Sequence, residues 1–403
     1  MSAPVLDPKP DPLFAARSCP MSTDTATEDR PRTLEEARAW MLDRTRKRIH
    51  PMNNLSFDDT ASVVERLQGL DPVNWAAAWT SAGEQAWRSG EAARDVGDFA
   101  KAKAEFLRAH GFFFLGRFPC PNHPDKLASA VREREAYLAA GALFEPPVER
   151  VVMPFAGGAG DGDEVVFLVR RPPGVVRPAV VVMWGGVDAW KEQMTAASDL
   201  VLAKGLATVA VDGPGTGESP VKGAPGAERQ FLPVFDWLAA QPDLDGARPG
   251  VLGRSFGGYW ATRLAHLYPE RLACAVNWGG GAHFMFQRDW INRSRHPDSY
   301  LMELVETRMR MLGASTDEEY AAFFERLSLL DAGILENPCA PMLLVNGRED
   351  KQCPVADIDL LVGHGDPKAV RMFPGGHMGI TPQTVPLIVD WLCRLTKERA
   401  RHA

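Results

Sequence analysis

A serine flanked by glycines is the residue in this sequence best suited to nucleophilic chemistry. Ser255 lies in the run GRSFGG (253–258), which follows the apolar segment PGVLG and leads into the segment YWATRLAHL. The pattern G-x-S-x-G between a strand and a helix is typical of a nucleophile elbow, a tight turn whose small flanking residues leave the hydroxyl clear of the sheet. A glycine-rich turn with an incidental serine is the alternative, but such a turn does not require both flanking elements. We therefore predict that Ser255 is a nucleophile.

A histidine near the end of the chain is the predicted base. A serine hydroxyl is a weak nucleophile until a base takes its proton, and that base is commonly a histidine oriented by a carboxylate. His377 lies in the glycine-rich segment FPGGHMG (373–379), directly after the last predicted strand. The other histidines that follow Ser255 lie within a predicted helix, before the wrong strand or in the tail: His266, His283, His296, His364 and His402.

The predicted acid lies in the loop GRED (347–350), after the strand segment PMLLVN. In this type of site the chain order is Ser, acid, His, and the acid lies on a loop at the end of a strand. Asp350 is preferred because an acid three residues after the glycine is the usual arrangement, and Pro354 then closes the loop. Glu349 stays open as the alternative acid.

Two segments supply candidate N–H donors for the oxyanion that forms when a carbonyl group is attacked. One donor is the backbone N–H of Phe256, the residue after the nucleophile. The other belongs to the loop GGVD after the strand segment PAVVVMW, where glycines allow the backbone to approach a substrate. Gly186 and Val187 are both candidates for this second donor. We also expect Gly185 and Asp188 to contact the substrate.

The elements that position these residues alternate between strands and helices from residue 148 onward. Several apolar runs are unbroken, as expected for strands that are buried on both faces of a parallel sheet. Strands are predicted at 149–154, 164–170, 178–184, 206–212, 249–253, 272–278, 341–346 and 369–373. Helices are predicted between them, near 190–204, 225–241, 256–268, 354–363 and 382–398. We therefore predict an α/β fold with a mostly parallel sheet flanked by helices, and an antiparallel hairpin at one edge.

The chain divides into three predicted segments. Residues 1–32 are rich in Pro, Asp, Ser and Thr, which predicts a disordered tail. Residues 33–147 show helical patterns and are predicted to form a lid domain, although a helical interaction scaffold is an alternative role for them. Residues 148–403 form the predicted catalytic domain, with a helical insertion at about 284–335.

Composition and charge argue against several classes of function. The 403 residues carry a net charge of −7, so nothing indicates binding to nucleic acid or to an anionic membrane surface. No stretch approaches the roughly 18 apolar residues of a membrane helix, and the N-terminus lacks the pattern of a signal peptide. The six cysteines are widely spaced, form no metal-ligand cluster and are too few for a disulfide scaffold. We expect a cytoplasmic protein that needs no cofactor and no metal.

The loop DGPGTGE (212–218) has a glycine spacing faintly similar to that of a phosphate-binding loop. It lacks the Lys-Ser/Thr pair of a P-loop and the G-x-G-x-x-G spacing of a dinucleotide fold. We interpret it as a tight structural turn beside the site.

Three segments resemble one subfamily of the α/β-hydrolases. WGGVDAWKE (184–192) is similar to its GG-x-D-x-x-KE segment, VDGPGTGES (211–219) to its DGPGQGES segment, and GRSFGGYWA (253–261) to its G-x-S-x-GGY-x-A elbow. The subfamily includes 2,6-dihydroxypseudooxynicotine hydrolase, which is a C–C bond hydrolase, fungal pigment hydrolases that shorten polyketides, and FrsA-like esterases. The resemblance extends over about residues 100–390.

The resemblance implies an α/β-hydrolase fold with an N-terminal helical lid domain and a substrate pocket between that domain and the core. It implies a catalytic triad of Ser255, Asp350 and His377, and a homodimer. The sequence departs from the subfamily at Thr216, where Gln is common, and at Trp184, which precedes the Gly-Gly pair. Both departures lie outside the triad, so they concern the pocket rather than the chemistry.

A site of this kind attacks a carbonyl through a tetrahedral intermediate, which suits several reactions. Our leading hypothesis is hydrolysis of a C–C bond next to a carbonyl in a β-diketone-like, acyl-aromatic or polyketide-type small molecule. The alternatives are a carboxylesterase or lactonase, acyl transfer or cyclisation through an acyl-enzyme, and a non-catalytic binding module. Aromatic residues of the helical region and the insertion are candidates to line the pocket, although each ring also suits packing. Among these residues we predict substrate contacts for Trp75 and His283.

Overall fold

An eight-stranded sheet forms the centre of the structure, a computed structural model that describes residues 30–400. Its strands are β1 (Glu149–Pro154), β2 (Glu164–Arg170), β3 (Ala179–Trp184), β4 (Ala207–Val211), β5 (Asp245–Arg254), β6 (Cys274–Trp278), β7 (Met342–Gly347) and β8 (Lys368–Phe373). In space they follow the order β1-β2-β4-β3-β5-β6-β7-β8. β1 pairs antiparallel with β2, and β2 with β4, whereas the remaining neighbours pair in parallel. The predicted mostly parallel sheet with an antiparallel edge is therefore confirmed.

The central strands lie in the core because their sequences are unbroken apolar runs. Every residue of β3, β4, β6 and β7 is buried, as expected for strands covered by helices on both faces. The edge strands β1 and β8 alternate between exposed and partly buried residues. Because β5 to β8 are parallel neighbours, their carboxyl ends lie along one edge of the sheet, where the loops that follow them can meet.

Helices precede the sheet and flank it. The N-terminal helices are α1 (Leu34–Lys47), α2 (Phe57–Arg66), α3 (Pro72–Asp95), α4 (Phe99–Arg117) and α5 (Pro124–Gly141). The others are α6 (Thr195–Ala203), α7 (Leu232–Ala240), α8 (Phe256–Leu267), α9 (Arg288–Arg293), α10 (Leu304–Leu312), α11 (Asp317–Glu325), α12 (Ala356–Val362) and α13 (Thr384–Ala400). Helices α9 to α11 lie between β6 and β7, where the sequence predicted a helical insertion.

Glycines allow α3 and α4 to pack closely against each other. A Cβ atom at Gly83 would lie 2.6 Å from Cε1 of Phe113, and one at Gly90 would lie 2.7 Å from Cδ1 of Phe106. Both rings are fully buried, and Trp75 is buried within the same helical region. Large rings therefore fill the space that the missing side chains leave, and they give the N-terminal helices an apolar core.

The N-terminal helices and the sheet belong to one compact unit. Arg32 donates to the carbonyl oxygen of Leu301 at 2.9 Å, and the amine of Lys126 lies 2.6 Å from a carboxylate oxygen of Glu303. Both contacts join the N-terminal part of the chain to the insertion. The predicted disordered tail, residues 1–32, lies outside the described residues apart from its last three positions.

Across the part of the chain that the structure describes, no helix combines the length and the apolar character needed to cross a membrane. Five cysteines are buried free thiols, namely Cys120, Cys274, Cys339, Cys353 and Cys393. The sixth, Cys19, lies outside the described residues.

Candidate active site

Ser255 lies at the sharp turn between β5 and α8. Its backbone has φ 55° and ψ −129°, a conformation that costs energy for a residue with a side chain and that is found at functional sites. The glycines on either side are needed because a Cβ atom at Gly253 would lie 2.0 Å from the carbonyl oxygen of Gly257. The N–H of Ser255 donates to the carbonyl oxygen of Trp278 at 2.7 Å, which ties the turn to β6.

His377 and Asp350 meet Ser255 at the carboxyl ends of three strands. Oγ of Ser255 lies 2.7 Å from Nε2 of His377, and Nδ1 of His377 lies 2.8 Å from Oδ2 of Asp350. The loops after β7 and β8 approach closely because Gly347 has no side chain, since a Cβ atom there would lie 1.8 Å from the carbonyl oxygen of Gly376. This arrangement can pass a proton from the hydroxyl to the imidazole while the carboxylate orients the ring.

The surroundings of Asp350 keep its carboxylate charged. Oδ1 of Asp350 accepts hydrogen bonds from the N–H groups of Gln352 at 2.7 Å and Cys353 at 3.1 Å. Burial by itself would raise the pKa of Asp350, but the neighbouring His377 and the backbone donor of Cys353 bring this pKa below its ordinary value. Glu349, the alternative acid, is exposed. The structure therefore brings Asp350 rather than Glu349 to the histidine.

The two candidate oxyanion segments both adjoin Ser255. Phe256 is the first residue of α8, so its N–H has no acceptor within the helix. The loop after β3 passes directly against the serine, because a Cβ atom at Gly186 would lie 2.8 Å from Cβ of Ser255. Gly185 forms the bend of this loop, where an added Cβ atom would lie 1.8 Å from a backbone carbonyl oxygen. Gly186 and Val187 both stay candidates for the second donor.

A buried ion pair from the helical region holds the loop that follows β3. Arg117 donates from Nη1 to the carbonyl oxygen of Asp188 at 2.7 Å and from Nε to Oε2 of Glu133 at 2.7 Å. Both side chains of the pair are fully buried, and Cζ of Arg117 lies 3.6 Å from the ring centroid of Trp190. Arg117 was not predicted as a functional residue, although a lone arginine within the apolar run FFFLGRF was the available signal.

A second buried charge cluster joins the loop after β3 to the loop after β4. Nζ of Lys191 lies 2.8 Å from Asp212, 3.0 Å from Glu192 and 2.7 Å from Glu218. Burial would lower the pKa of Lys191, but the three carboxylates raise it above its ordinary value. The KE and DGPGTGES segments therefore connect two loops beside the site, which agrees with our interpretation of 212–218 as a structural turn.

A cavity of about 390 Å³ opens onto Ser255 and His377. Its walls come from the helical region, the loop after β3, the insertion, and the loops after β7 and β8. Aromatic and apolar side chains dominate these walls, with a few polar groups among them. Wall residues that were not predicted from the sequence include Trp40, His50, Phe118, Arg254, Tyr300 and Ile380.

Asp188 is a charged wall residue that we predicted to contact the substrate. Its Oδ1 lies 3.2 Å from Nε2 of His50, which the helical region contributes. Burial by itself would raise the pKa of Asp188, but His50 and Arg254 bring it below its ordinary value. The hydroxyl of Tyr300 is close enough to influence this pKa, yet it makes no hydrogen bond of regular geometry. Asp188 therefore lies on the cavity wall with its charge stabilised from both regions of the chain.

Three residues that we predicted to contact the substrate do not line the cavity, namely Gly185, Trp75 and His283. Gly185 instead forms the bend of the loop after β3. Trp75 is fully buried among the N-terminal helices, and its Nε1–H donates to the carbonyl oxygen of Leu115 at 2.5 Å. His283 belongs to the insertion, and its Nδ1 lies 2.7 Å from Oγ of Ser328. Neither side chain lines the cavity. We therefore assign Trp75 to the packing of the N-terminal helices, and His283 to a hydrogen bond within the insertion.

Asp350, Cys353 and His377 place their potential ligand atoms within 4.8 Å of one another. A metal would need the thiolate form of the cysteine. Burial raises the pKa of Cys353 well above its ordinary value, which keeps the thiol protonated. Asp350 also has both carboxylate oxygens engaged in hydrogen bonds. The group suits a hydrogen-bonded relay better than a metal site.

Comparison with known proteins places this arrangement in a family. The family described as "Esterase FrsA-like" matches residues 51–392. A 2,6-dihydropseudooxynicotine hydrolase from Paenarthrobacter nicotinovorans is 36% identical over 151 residues, which cover 37% of this chain and 40% of that protein. Hydrolase ORFZ from Pyricularia oryzae is 32% identical over 235 residues, which cover 51% of this chain and 54% of that protein. The chain thus spans about half, or less, of the length of these relatives.

Solved structures agree with the predicted fold class. The crystal structure of the 2,6-dihydroxy-pseudo-oxynicotine hydrolase has a TM-score of 0.71 at 23% identity and covers 89% of this chain and 95% of that chain. The structure of AbyA5 has a TM-score of 0.66 at 21% identity and covers 84% of this chain and 93% of that chain. At these identities the similarity shows the fold, and the α/β-hydrolase fold is confirmed. Because the family match extends over most of the sequence, the chain belongs to the FrsA-like esterase family of the α/β-hydrolases.

Proposed function

We propose that this protein is a serine hydrolase with Ser255 as the nucleophile, His377 as the general base and acid, and Asp350 as the group that orients the imidazole. The observation that carries the proposal is the pair of contacts from Ser255 to His377 at 2.7 Å and from His377 to Asp350 at 2.8 Å. These contacts lie at the wall of a cavity of about 390 Å³, which has room for a small molecule. Membership of a family described as esterases supports the same reaction class.

In the proposed reaction, Oγ of Ser255 attacks a carbonyl carbon of the substrate while His377 takes the hydroxyl proton. The oxyanion accepts hydrogen bonds from the N–H of Phe256 and from that of Gly186 or Val187. The tetrahedral intermediate then expels the leaving group, which receives the proton from His377, and an acyl-enzyme remains. Water, deprotonated by His377, attacks the acyl carbon, and Ser255 regains its proton as the carboxylic acid product is released.

We propose a carbon leaving group, so that the enzyme cleaves a C–C bond next to a carbonyl in a β-diketone-like, acyl-aromatic or polyketide-type substrate. The bond breaks to a carbanion that resonance stabilises as an enolate, and His377 protonates it. The aromatic side chains of Trp40, Phe118 and Tyr300 on the cavity wall suit a flat conjugated molecule. The resemblance to a subfamily that contains C–C bond hydrolases supports the same conclusion.

Ester hydrolysis is the second candidate, because the family that matches residues 51–392 is described as esterase-like. It would use the same acyl-enzyme with an oxygen leaving group. An alkoxide or phenolate needs less stabilisation than a carbanion, so a C–C bond hydrolase of this kind should also cleave activated esters. Activity on esters alone is therefore the result that favours the second candidate.

A substrate panel separates the two candidates. The purified protein is assayed with p-nitrophenyl esters of increasing acyl length and with aryl 1,3-diketones, for which release of a carboxylic acid and a ketone is measured. We expect turnover of both, and loss of at least ~1,000-fold in kcat for Ser255→Ala. Ser62→Ala is the matched control, because Ser62 is exposed on α2. Turnover that survives in Ser255→Ala at the wild-type rate would overturn the proposed nucleophile.

A further inference from the structure

Arg254 is the last residue of β5 and precedes the proposed nucleophile. Its side chain lines the cavity that opens onto Ser255, and its Cζ lies 6.0 Å from the ring centroid of Trp278. Among residues 30–400, the Arg254 guanidinium has no hydrogen-bond acceptor and no carboxylate oxygen within 4.0 Å. The other arginine on the cavity wall differs in this respect, because Arg44 donates to the carbonyl oxygens of His50 at 3.1 Å and Ser299 at 2.9 Å.

The carboxylate that acts on Arg254 already has a hydrogen-bond partner. Asp188 is the carboxylate that acts on Arg254 electrostatically, but its Oδ1 lies 3.2 Å from Nε2 of His50. Burial lowers the pKa of Arg254 below its ordinary value, and Asp188 only partly opposes this effect. The Arg254 side chain is partly buried, so its guanidinium is incompletely hydrated and has no hydrogen-bonded partner in the protein. An anion that enters the cavity would supply that partner.

The charges on the cavity wall favour an anion over a cation. Arg44 and Arg254 are the cationic side chains of the wall, and Asp188 is its carboxylate. Asp350 is buried behind His377, which separates it from the cavity. The remaining wall is largely apolar or aromatic. Few other acceptors on this wall would therefore compete with an anionic group for the N–H donors of Arg254.

We propose that Arg254 binds an anionic group of the substrate in which two oxygens share one negative charge. A carboxylate and the enolate of a 1,3-dicarbonyl both have this chemistry, and the planar guanidinium can donate to both oxygens at once. The proposal rests on the proposed function, because it places this anion on the molecule whose carbonyl Ser255 attacks. Arg254 and Ser255 both line this cavity, so one small molecule can contact both residues.

The first test compares esters that differ in charge and little in shape. p-Nitrophenyl monoesters of adipic and pimelic acid are assayed against the corresponding terminal amides, and the uncatalysed rate is subtracted. The readout is the ratio of kcat/KM for the carboxylate to kcat/KM for the amide, which cancels general losses of activity. We expect Arg254→Gln to lower this ratio ~10- to 100-fold, and Arg254→Lys to lower it less because it keeps the charge.

The matched control is Arg371→Gln, which removes an exposed arginine of β8 and should leave the ratio unchanged. An equal ratio in the wild type and in Arg254→Gln would overturn the proposal for carboxylates. If the wild type cleaves none of these esters, that result would instead count against the proposed function.

The second test measures binding without turnover, so it reports on Arg254 even if no ester is cleaved. In the Ser255→Ala background, calorimetry compares 4-phenylbutyrate with 4-phenylbutyramide, and 5-phenylcyclohexane-1,3-dione with 3-phenylcyclohexanone. Preference for the carboxylate or for the enolate, lost on adding Arg254→Gln, supports the proposal and identifies which anion is bound. If neither anion binds more tightly than its neutral partner, or if the preference survives Arg254→Gln, the proposal is wrong.

Discussion

The buried pair of Arg117 and Glu133 offers a quantitative test of how the helical region supports the candidate site. Arg117 does two things at once, since it neutralises Glu133 and donates to the carbonyl oxygen of Asp188 at 2.7 Å. Arg117→Met leaves the Glu133 carboxylate buried without its cation. Glu133→Gln leaves the Arg117 guanidinium buried without its carboxylate. Each single substitution should therefore lower the free energy of unfolding by about 3–5 kcal/mol.

The double variant separates the two roles of Arg117. Because Arg117→Met with Glu133→Gln removes both charges, it should lose no more stability than one single substitution, which gives a coupling energy of at least about 3 kcal/mol. Its kcat should stay reduced by ~100-fold, because the donor to the loop after β3 is still missing. Urea unfolding followed by circular dichroism measures the stability, and turnover of a p-nitrophenyl ester measures kcat.

A partly exposed pair provides the control for this cycle. Arg132 and Glu84 form an ion pair with side chains 24% and 35% exposed, so the corresponding cycle should give a coupling energy of about 0–1 kcal/mol. If the double variant loses as much free energy of unfolding as the two single variants together, Arg117 and Glu133 are not energetically coupled. If kcat recovers together with stability in the double variant, the donor to Asp188 does not position the loop.

Three further substitutions have defined outcomes. Gly186→Ala adds a methyl group 2.8 Å from Cβ of Ser255, so kcat/KM should fall ~100-fold with an unchanged circular dichroism spectrum; full activity would mean that the loop does not abut the serine. Asp350→Asn should lower kcat ~1,000- to 10,000-fold without unfolding the protein, and a loss below tenfold would contradict its assigned role. The pKa of Glu218 is lowered to about 2 from 4.5, so its charge stabilises the fold above pH 4.5 and this contribution is lost as the pH falls toward 2. The difference in urea midpoint between the wild type and Glu218→Gln should narrow over that pH range, whereas a constant difference would refute the role assigned to the Lys191 cluster.

The fold could be predicted because its strands and helices are encoded locally. Segments such as 164–170 and 206–212 are apolar runs of strand length, and the strands found there are β2 and β4. The three candidate triad residues could also be predicted, because each lies in a loop after a predicted strand. The chain order of serine, acid and histidine then limits the choices. Parallel strands then bring those loops to one edge of the sheet.

The cavity walls could not be predicted, because they depend on contacts between residues far apart in the chain. His50 meets Asp188 across 138 positions, and Arg117 reaches the same loop across 71 positions. No local periodicity encodes such contacts. Trp75 was wrongly predicted to contact the substrate. An aromatic residue at helical spacing is equally suited to a pocket and to a helix interface, and Trp75 packs between helices.

Covalent trapping at Ser255 tests the proposed nucleophile and its base most directly. The purified protein is treated with a fluorophosphonate probe, and intact-protein and peptide mass spectrometry locate the adduct. We predict one adduct per chain, on Oγ of Ser255, formed much more slowly in His377→Ala and absent from Ser255→Ala. A probe that leaves Ser255 unmodified in the wild type would contradict the proposed nucleophile. A probe that labels Ser255 equally fast without His377 would contradict the proposed base.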